Sequence, residues 1–108
     1  MLDAQLAVRR RWDTLFESFD VVIAPTLGMV AFPHVEGDWG SRTVMIDGRP
    51  SPFAPQIAWA GLVTYPNLPA TAVPVGRNSE GLPIGIQIIG PRLEDRTPLA
   101  FARHVEGL

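Results

Sequence analysis

Hydrophobic residues near the start of the chain recur with the period of an α-helix. Five of them fall at positions i, i+4, i+7, i+8 and i+11: Val8, Trp12, Leu15, Phe16 and Phe19. This spacing places them on one face of an amphipathic helix, with polar residues elsewhere. We therefore predict a helix that ends near Phe19.

A short apolar run, Val-Val-Ile-Ala at residues 21–24, follows this helix and is closed by Pro25. Because the run is apolar at consecutive positions and rich in β-branched residues, it predicts a buried central strand. A helix that leads into such a strand indicates an α/β layer.

Residues 28–55 are interrupted repeatedly by glycine and proline, which exclude long regular elements. We expect a long loop here, and loops of this length in a compact domain are usually functional or disordered. Within it, residues 44–46 followed by Asp47-Gly48 resemble one arm of a hairpin with a tight turn. The return arm contains Pro50 and Pro52, which makes it a poor strand.

The second half of the chain alternates turns with apolar runs. Residues 56–62 predict a short helix, and residues 70–73 predict a strand that Pro74 ends or confines to a sheet edge. Residues 78–81 predict a turn that leads into the most regular strand pattern in the chain, residues 84–89. These two strand segments are expected to form a hairpin.

A closing helix is predicted from Thr97, with the threonine as N-cap and Pro98 at the first helical position. Gly107 suits its C-terminal end. Three residues are expected on its buried face: Leu99, Ala102 and Val105.

Composition narrows the class of protein. The chain has 108 residues, a net charge of −2 and 46% hydrophobic residues, which fits one compact domain and neither a disordered nor a nucleic-acid-binding chain. No apolar run approaches the roughly 18 residues of a membrane span. Asp3 and the arginines at 9–11 interrupt any signal-peptide pattern. We expect a cytoplasmic protein that binds neither nucleic acid nor membranes.

Candidate catalytic chemistry is sparse. All nine basic residues are arginines, so the chain has no lysine that could act as a base. None of the four serines lies in a Gly-x-Ser-x-Gly motif or a glycine-rich serine loop. His34 and His104 are far apart in a chain without cysteine, which does not predict a zinc site. No catalytic residue, metal or cofactor is predicted from the residues themselves.

Three segments, in order, resemble motifs of the amidase-signature family. Residues 19–26 resemble its Tyr-Asp-hydrophobic-Pro-Thr strand, and residues 68–76 resemble its Leu-Pro-Ala-hydrophobic-Val-Pro-x-Gly segment. Residues 81–91 are very similar to its Gly-Leu-Pro-hydrophobic-Gly-hydrophobic-Gln signature. Together they indicate that residues 1–108 form a single piece, similar to the C-terminal part of an amidase-signature hydrolase.

The resemblance implies an α/β/α sandwich around a large mixed sheet, and hydrolysis of amide C–N bonds. The family uses a serine nucleophile, a second serine in a cis-peptide loop and a lysine that relays protons. This machinery lies upstream of the region resembled, so we expect this chain alone to be inactive. Residues 28–55 are expected to lie beside the substrate cleft. The cleft-lining candidates are Thr26, Leu27, Gly28 and Trp59.

The resemblance also suggests partners: the missing N-terminal part of the amidase fold or a second copy, with a small amide as substrate of the full protein. Residues 64–69 differ from the Asn-Leu-Ala-Gly-Leu-Pro run usual in the tRNA-dependent amidotransferases of the family, which favours a stand-alone amidase. Two alternatives stay open. One is a non-catalytic interaction module with the same fold, and the other is an independent hydrolase that uses His34.

Overall fold

The computed structural model describes residues 2–108, which form three α-helices, a short 3-10 helix and five strands. In chain order the elements are α1 (Leu2–Phe16), β1 (Val22–Pro25), β2 (Thr43–Ile46), β3 (Arg49–Pro52), the 3-10 helix (Ala54–Ile57), α2 (Ala58–Thr64), β4 (Ala70–Arg77), β5 (Pro83–Ile89) and α3 (Arg96–Glu106). Helix, strand, interrupted segment, strand hairpin and closing helix follow the predicted order.

The main sheet is antiparallel, with the strand order β1-β5-β4. β5 lies in the centre, and its Ile88 and Ile89 are fully buried, one on each face. The predicted hairpin is the β4–β5 pair. Its register shifts between Pro74 and Gly76, because a proline cannot donate to the ladder and a bulge accommodates it.

The prediction that residues 21–24 form a central strand is wrong for the described part of the chain. β1 is an edge strand that pairs with β5 alone. Ala24 is buried, whereas Ile23 is 52% exposed. The apolar residues that suggested burial on both faces are present, but residues 2–108 cover only part of one face.

The closing helix α3 packs on β4 and β5. The core cluster contains Val73, Ile88 and Ala102, with Val21, Ile86, Phe101 and Val105 packed against it. The helix begins at Arg96, one residue before the predicted cap, and Pro98 is fully buried in its first turn, where a missing N–H removes no helical hydrogen bond. Leu99 is exposed, contrary to prediction, because the buried face follows Pro98 and Ala102.

The first helix, α1, packs against little of the rest of residues 2–108. It ends at Phe16 rather than near Phe19, and none of its residues is buried. Two side-chain bonds hold it to the segment after α2: Gln5 Nε2 donates to the Tyr65 carbonyl at 2.6 Å, and Arg9 Nε donates to the Pro66 carbonyl at 2.7 Å. The predicted apolar stripe is therefore left open.

The segment of residues 28–55 contains the β2–β3 hairpin as a separate two-stranded sheet. Asp47 and Gly48 have φ values of 50° and 74°, as a tight I′-type turn requires. The prolines of β3 are accepted because a two-stranded sheet has free edges. The ring of Phe53 contacts those of Phe32 and Trp39 edge-on, at centroid distances of 5.6 and 5.1 Å.

The molecule is flat, with extents of 40 × 40 × 17 Å and a radius of gyration of 15.9 Å. A compact domain of this length has a radius of gyration of about 13 Å. Its accessible surface is 7820 Å² for a mass of 11.8 kDa, against the roughly 5,900 Å² usual for a folded monomer of that mass. Much apolar surface therefore remains open.

Candidate substrate groove

An open groove of about 590 Å³ lies where the end of β1 meets the start of β5. Two segments line it, residues 23–31 and residues 83–86. Neither segment contains a charged residue, and Thr26 carries the only polar side chain. Such a lining suits the apolar part of a ligand, and it holds no ionisable side chain that could act as a general acid or base.

The structure brings three of the four predicted cleft residues together. Thr26, Leu27 and Gly28 line the groove directly after β1. Trp59 lies outside it, in the first turn of α2, with 38% of its surface exposed. The structure links this tryptophan to the groove through its backbone rather than its ring.

Gln87 makes that link. It is buried, 6% exposed, and its Nε2 donates to the Pro25 carbonyl at 2.8 Å and to the Trp59 carbonyl at 3.0 Å. Both acceptors are backbone carbonyls, so the polar group of this otherwise apolar strand is satisfied. The sequence did not indicate that the two carbonyls belong to different elements.

A second glutamine, Gln56, contacts the groove-lining residues 25–28 at the Gly28 end. Its side chain rests against Gly28, where an added Cβ would collide with the amide oxygen. Its Nε2 donates to the Pro52 carbonyl at 3.1 Å. Sequence reasoning missed Gln56, because its role depends on the approach of a residue 28 positions away.

The other candidate catalytic and metal-binding side chains do not form a site among the described residues. His34 and His104 are both exposed, and no hydrogen bond within residues 2–108 joins either ring to a serine. The described residues include no cluster of three His, Asp or Glu side chains that could hold a metal ion. No helix among them is long and apolar enough to cross a bilayer.

Comparison with known proteins identifies the family. The family profile for Amidase matches residues 2–99. The chain belongs to the amidase family. It is 37% identical to the A subunit of the glutamyl-tRNA(Gln) amidotransferase of Synechococcus sp. strain CC9311, over 92% of this chain and 18% of that protein. It is 36% identical to a fatty acid amide hydrolase of Medicago truncatula, over 97% of this chain and 17% of that protein.

Two solved structures superpose on this chain and show the same fold. A bacterial aryl acylamidase of the amidase-signature family superposes with a TM-score of 0.67 and 27% identity, over 95% of this chain and 21% of that one. A protein from a vestigial complex, described in connection with the origins of an s-triazine catabolic enzyme, superposes with a TM-score of 0.76. At 21% identity it shows the fold alone, over 98% of this chain and 22% of that one.

These findings confirm the resemblance to the C-terminal part of an amidase-signature hydrolase and the α/β fold. The chain spans about a fifth of the length of the relatives it matches. A tRNA-dependent amidotransferase and a fatty acid amide hydrolase are matched at almost equal identity, so identity alone does not separate these subfamilies.

Proposed function

We propose that this chain is the C-terminal part of an amidase that hydrolyses the C–N bond of carboxylic amides. It supplies sheet strands and one wall of the substrate cleft, and the catalytic residues lie in the rest of the protein. One observation carries the proposal: the groove forms where two family-like segments, residues 19–26 and 81–91, meet. The absence of lysine from the chain agrees with chemistry located elsewhere.

The partner in this proposal is the remainder of the amidase fold. The surface exceeds that of a folded monomer of this mass by roughly 1,900 Å². Part of it is the apolar stripe of α1, where Leu15 is exposed, part is Phe19 just after the helix, and part is the sheet around Ile23. Within residues 2–108 the outer edge of β1 is unpaired and offers backbone groups to a further strand, and apolar patches of this kind are usually contact sites.

The substrate in this proposal is a small amide whose acyl or amine portion is apolar. The uncharged groove offers one hydroxyl, from Thr26, among apolar side chains. A substrate with a free charge at this position would lose its hydration without finding a counter-charge. The cytoplasmic location, the absence of a cofactor and a stand-alone enzyme outside any tRNA complex remain predictions from the sequence.

A non-catalytic interaction module is the second candidate. The same open β1 edge and exposed α1 stripe favour it, because they would serve self-association or an unrelated partner equally well. The two candidates differ in what an upstream extension of the chain would do.

The test is amide hydrolysis on a panel of aryl and alkyl amides, with the 108-residue chain and with the same chain extended upstream in its reading frame. We expect turnover only from the extended protein, and no change on His34→Ala. Turnover by the 108-residue chain that His34→Ala abolishes would support an independent hydrolase instead. An extension that contains no lysine and no glycine-rich serine loop would support the interaction module.

A further inference from the structure

We infer that Gln87 is a positioning residue, which holds the groove wall at the end of β1 against the start of α2. The inference rests on the proposed function, because it assigns Gln87 to the geometry of the proposed substrate cleft. Gln87 does not line the groove, so its effect on a substrate passes through the backbone that it binds.

The hydrogen bonds of Gln87 cross long distances in sequence. Pro25 is 62 residues away and Trp59 is 28 residues away, yet one amide nitrogen donates to the carbonyls of both. Pro25 itself lines the groove, and the three predicted cleft residues follow it directly. A single buried side chain therefore joins the backbone of Pro25, which directly precedes the groove-lining residues 26–28, to the backbone of α2.

Only a neutral amide suits this position. Two carbonyl acceptors require two protons on one atom, which the NH₂ of glutamine supplies without a charge. A glutamate carboxylate is an acceptor, so it would face both carbonyls with repulsion in a buried site. Asparagine is one methylene shorter, and a lysine would bring a buried positive charge.

Gln56 supports the same groove-lining residues, 25–28, at the Gly28 end. Its side chain rests against Gly28 while its Nε2 bonds to the Pro52 carbonyl. Residues 25–28 are thus held against residues 56–59 at both ends, and Gln87 provides the buried contact. Without it, the strand end can shift relative to α2, and the groove then fits a large apolar substrate less closely, which raises KM for that substrate.

The decisive variant is Gln87→Glu in the upstream-extended enzyme, because the side chain keeps its shape and loses both donated bonds. We expect kcat/KM to fall at least tenfold for a large apolar amide that fills the groove, chiefly through KM. For a small amide such as acetamide we expect a change below threefold. A purely structural role would lower kcat equally for both substrates by reducing the folded fraction.

Gln5→Glu is the matched control, since Gln5 also donates to a backbone carbonyl, that of Tyr65, away from the groove. It should leave both kinetic constants within twofold of the unmodified enzyme. Gln87→Met, which keeps the volume and removes the polar group, should reproduce the loss. Unchanged KM for the large amide in Gln87→Glu would overturn the inference.

Amide hydrogen exchange separates this inference from the proposed function. In Gln87→Glu, we expect exchange to become at least fivefold faster in residues 26–28 and 58–62, with β4 unchanged. If the extended protein hydrolyses no amide, the proposed function fails, and the exchange result alone decides whether Gln87 holds the two segments. Unchanged exchange at both segments would overturn the inference in either case.

Discussion

The ring of Pro98 packs directly against the backbone of Gly90. A Cβ placed on Gly90 would lie 2.5 Å from Cδ and 3.0 Å from Cγ of that proline. Both residues are buried, and together they join the end of β5 to the first turn of α3. The contact requires a residue without a side chain at position 90, because neither the proline ring nor the strand end can move aside easily.

Replacing Gly90 with alanine should therefore lower the free energy of unfolding by about 1–3 kcal/mol, the usual cost of overpacking a core. Gly61→Ala is the control, since position 61 lies in α2 with no atom within 4 Å of its added Cβ. It should be neutral or stabilise by up to about 1 kcal/mol. Urea unfolding of both variants checks this, and equal midpoints would contradict the packing.

Leu15→Asp tests whether the stripe of α1 is buried in the larger protein. A leucine buried at such a contact contributes about 1.5–3 kcal/mol, so the upstream-extended protein should lose at least that much stability. Thr14→Asp introduces the same charge at the neighbouring exposed position and should cost below about 0.5 kcal/mol. Equal losses would mean that α1 stays exposed. A change in oligomeric state with Leu15→Asp would instead indicate self-association.

The β2–β3 turn should depend on Gly48, whose φ is 74°. Alanine in this left-handed conformation costs about 1 kcal/mol, so Gly48→Ala should speed amide exchange in residues 43–52 roughly fivefold. Exchange in β5 should not change, because the hairpin forms its own sheet. Gly40→Ala, where φ is not positive and the added Cβ meets no atom within 4 Å, is the control.

Ile84→Trp tests the groove itself. Ile84 lines the groove at the start of β5 and is 39% exposed, so a larger side chain can enter the groove without disturbing the core. In the active extended protein, KM should rise at least tenfold for a bulky aryl amide and below threefold for acetamide. Leu93→Trp, at an exposed position outside the groove, should change neither. Equal KM values for Ile84→Trp and its control would remove the groove from the substrate path.

The sequence predicted most of the elements because their signals are local. The Asp47-Gly48 pair predicted the turn of the hairpin, and the apolar run of residues 84–89 predicted β5, although not its central place in the sheet. Both depend on backbone preferences within a few residues. The start of α3 was missed by two residues for the same reason, since several residues before Pro98 can cap a helix.

Errors arose where burial depends on distant parts of the fold. The run at residues 21–24 predicted a central strand, but apolarity on two faces does not reveal whether the covering layers lie within the same 108 residues. Leu99 was placed in the core for a related reason. Its spacing fits one helix face, whereas the packing of α3 selected the neighbouring face that carries Phe101.

The groove was predictable in part. Thr26, Leu27 and Gly28 were predicted as cleft residues from their place at the end of the family-like segment of residues 19–26, and all three line the groove. Gln56 could not be found, because a glutamine that supports a glycine across space has no sequence pattern. Trp59 was also predicted as a cleft residue, but it lies outside the groove and only its carbonyl oxygen is joined to Gln87.

β1 and β4 both pair with β5, so the register of the sheet is set by strands that lie before and after residues 26–69 in the sequence. These residues form a long connection between β1 and β4. The β2–β3 hairpin and its aromatic contacts lie entirely within that connection. Doubling the length of a flexible loop costs only about 0.6 kcal/mol. Insertions and replacements between residues 29 and 53 can therefore accumulate while the strands and the Gln87 bonds stay fixed. Because residues 29–31 line the groove, such changes would alter the groove lining without altering the sheet.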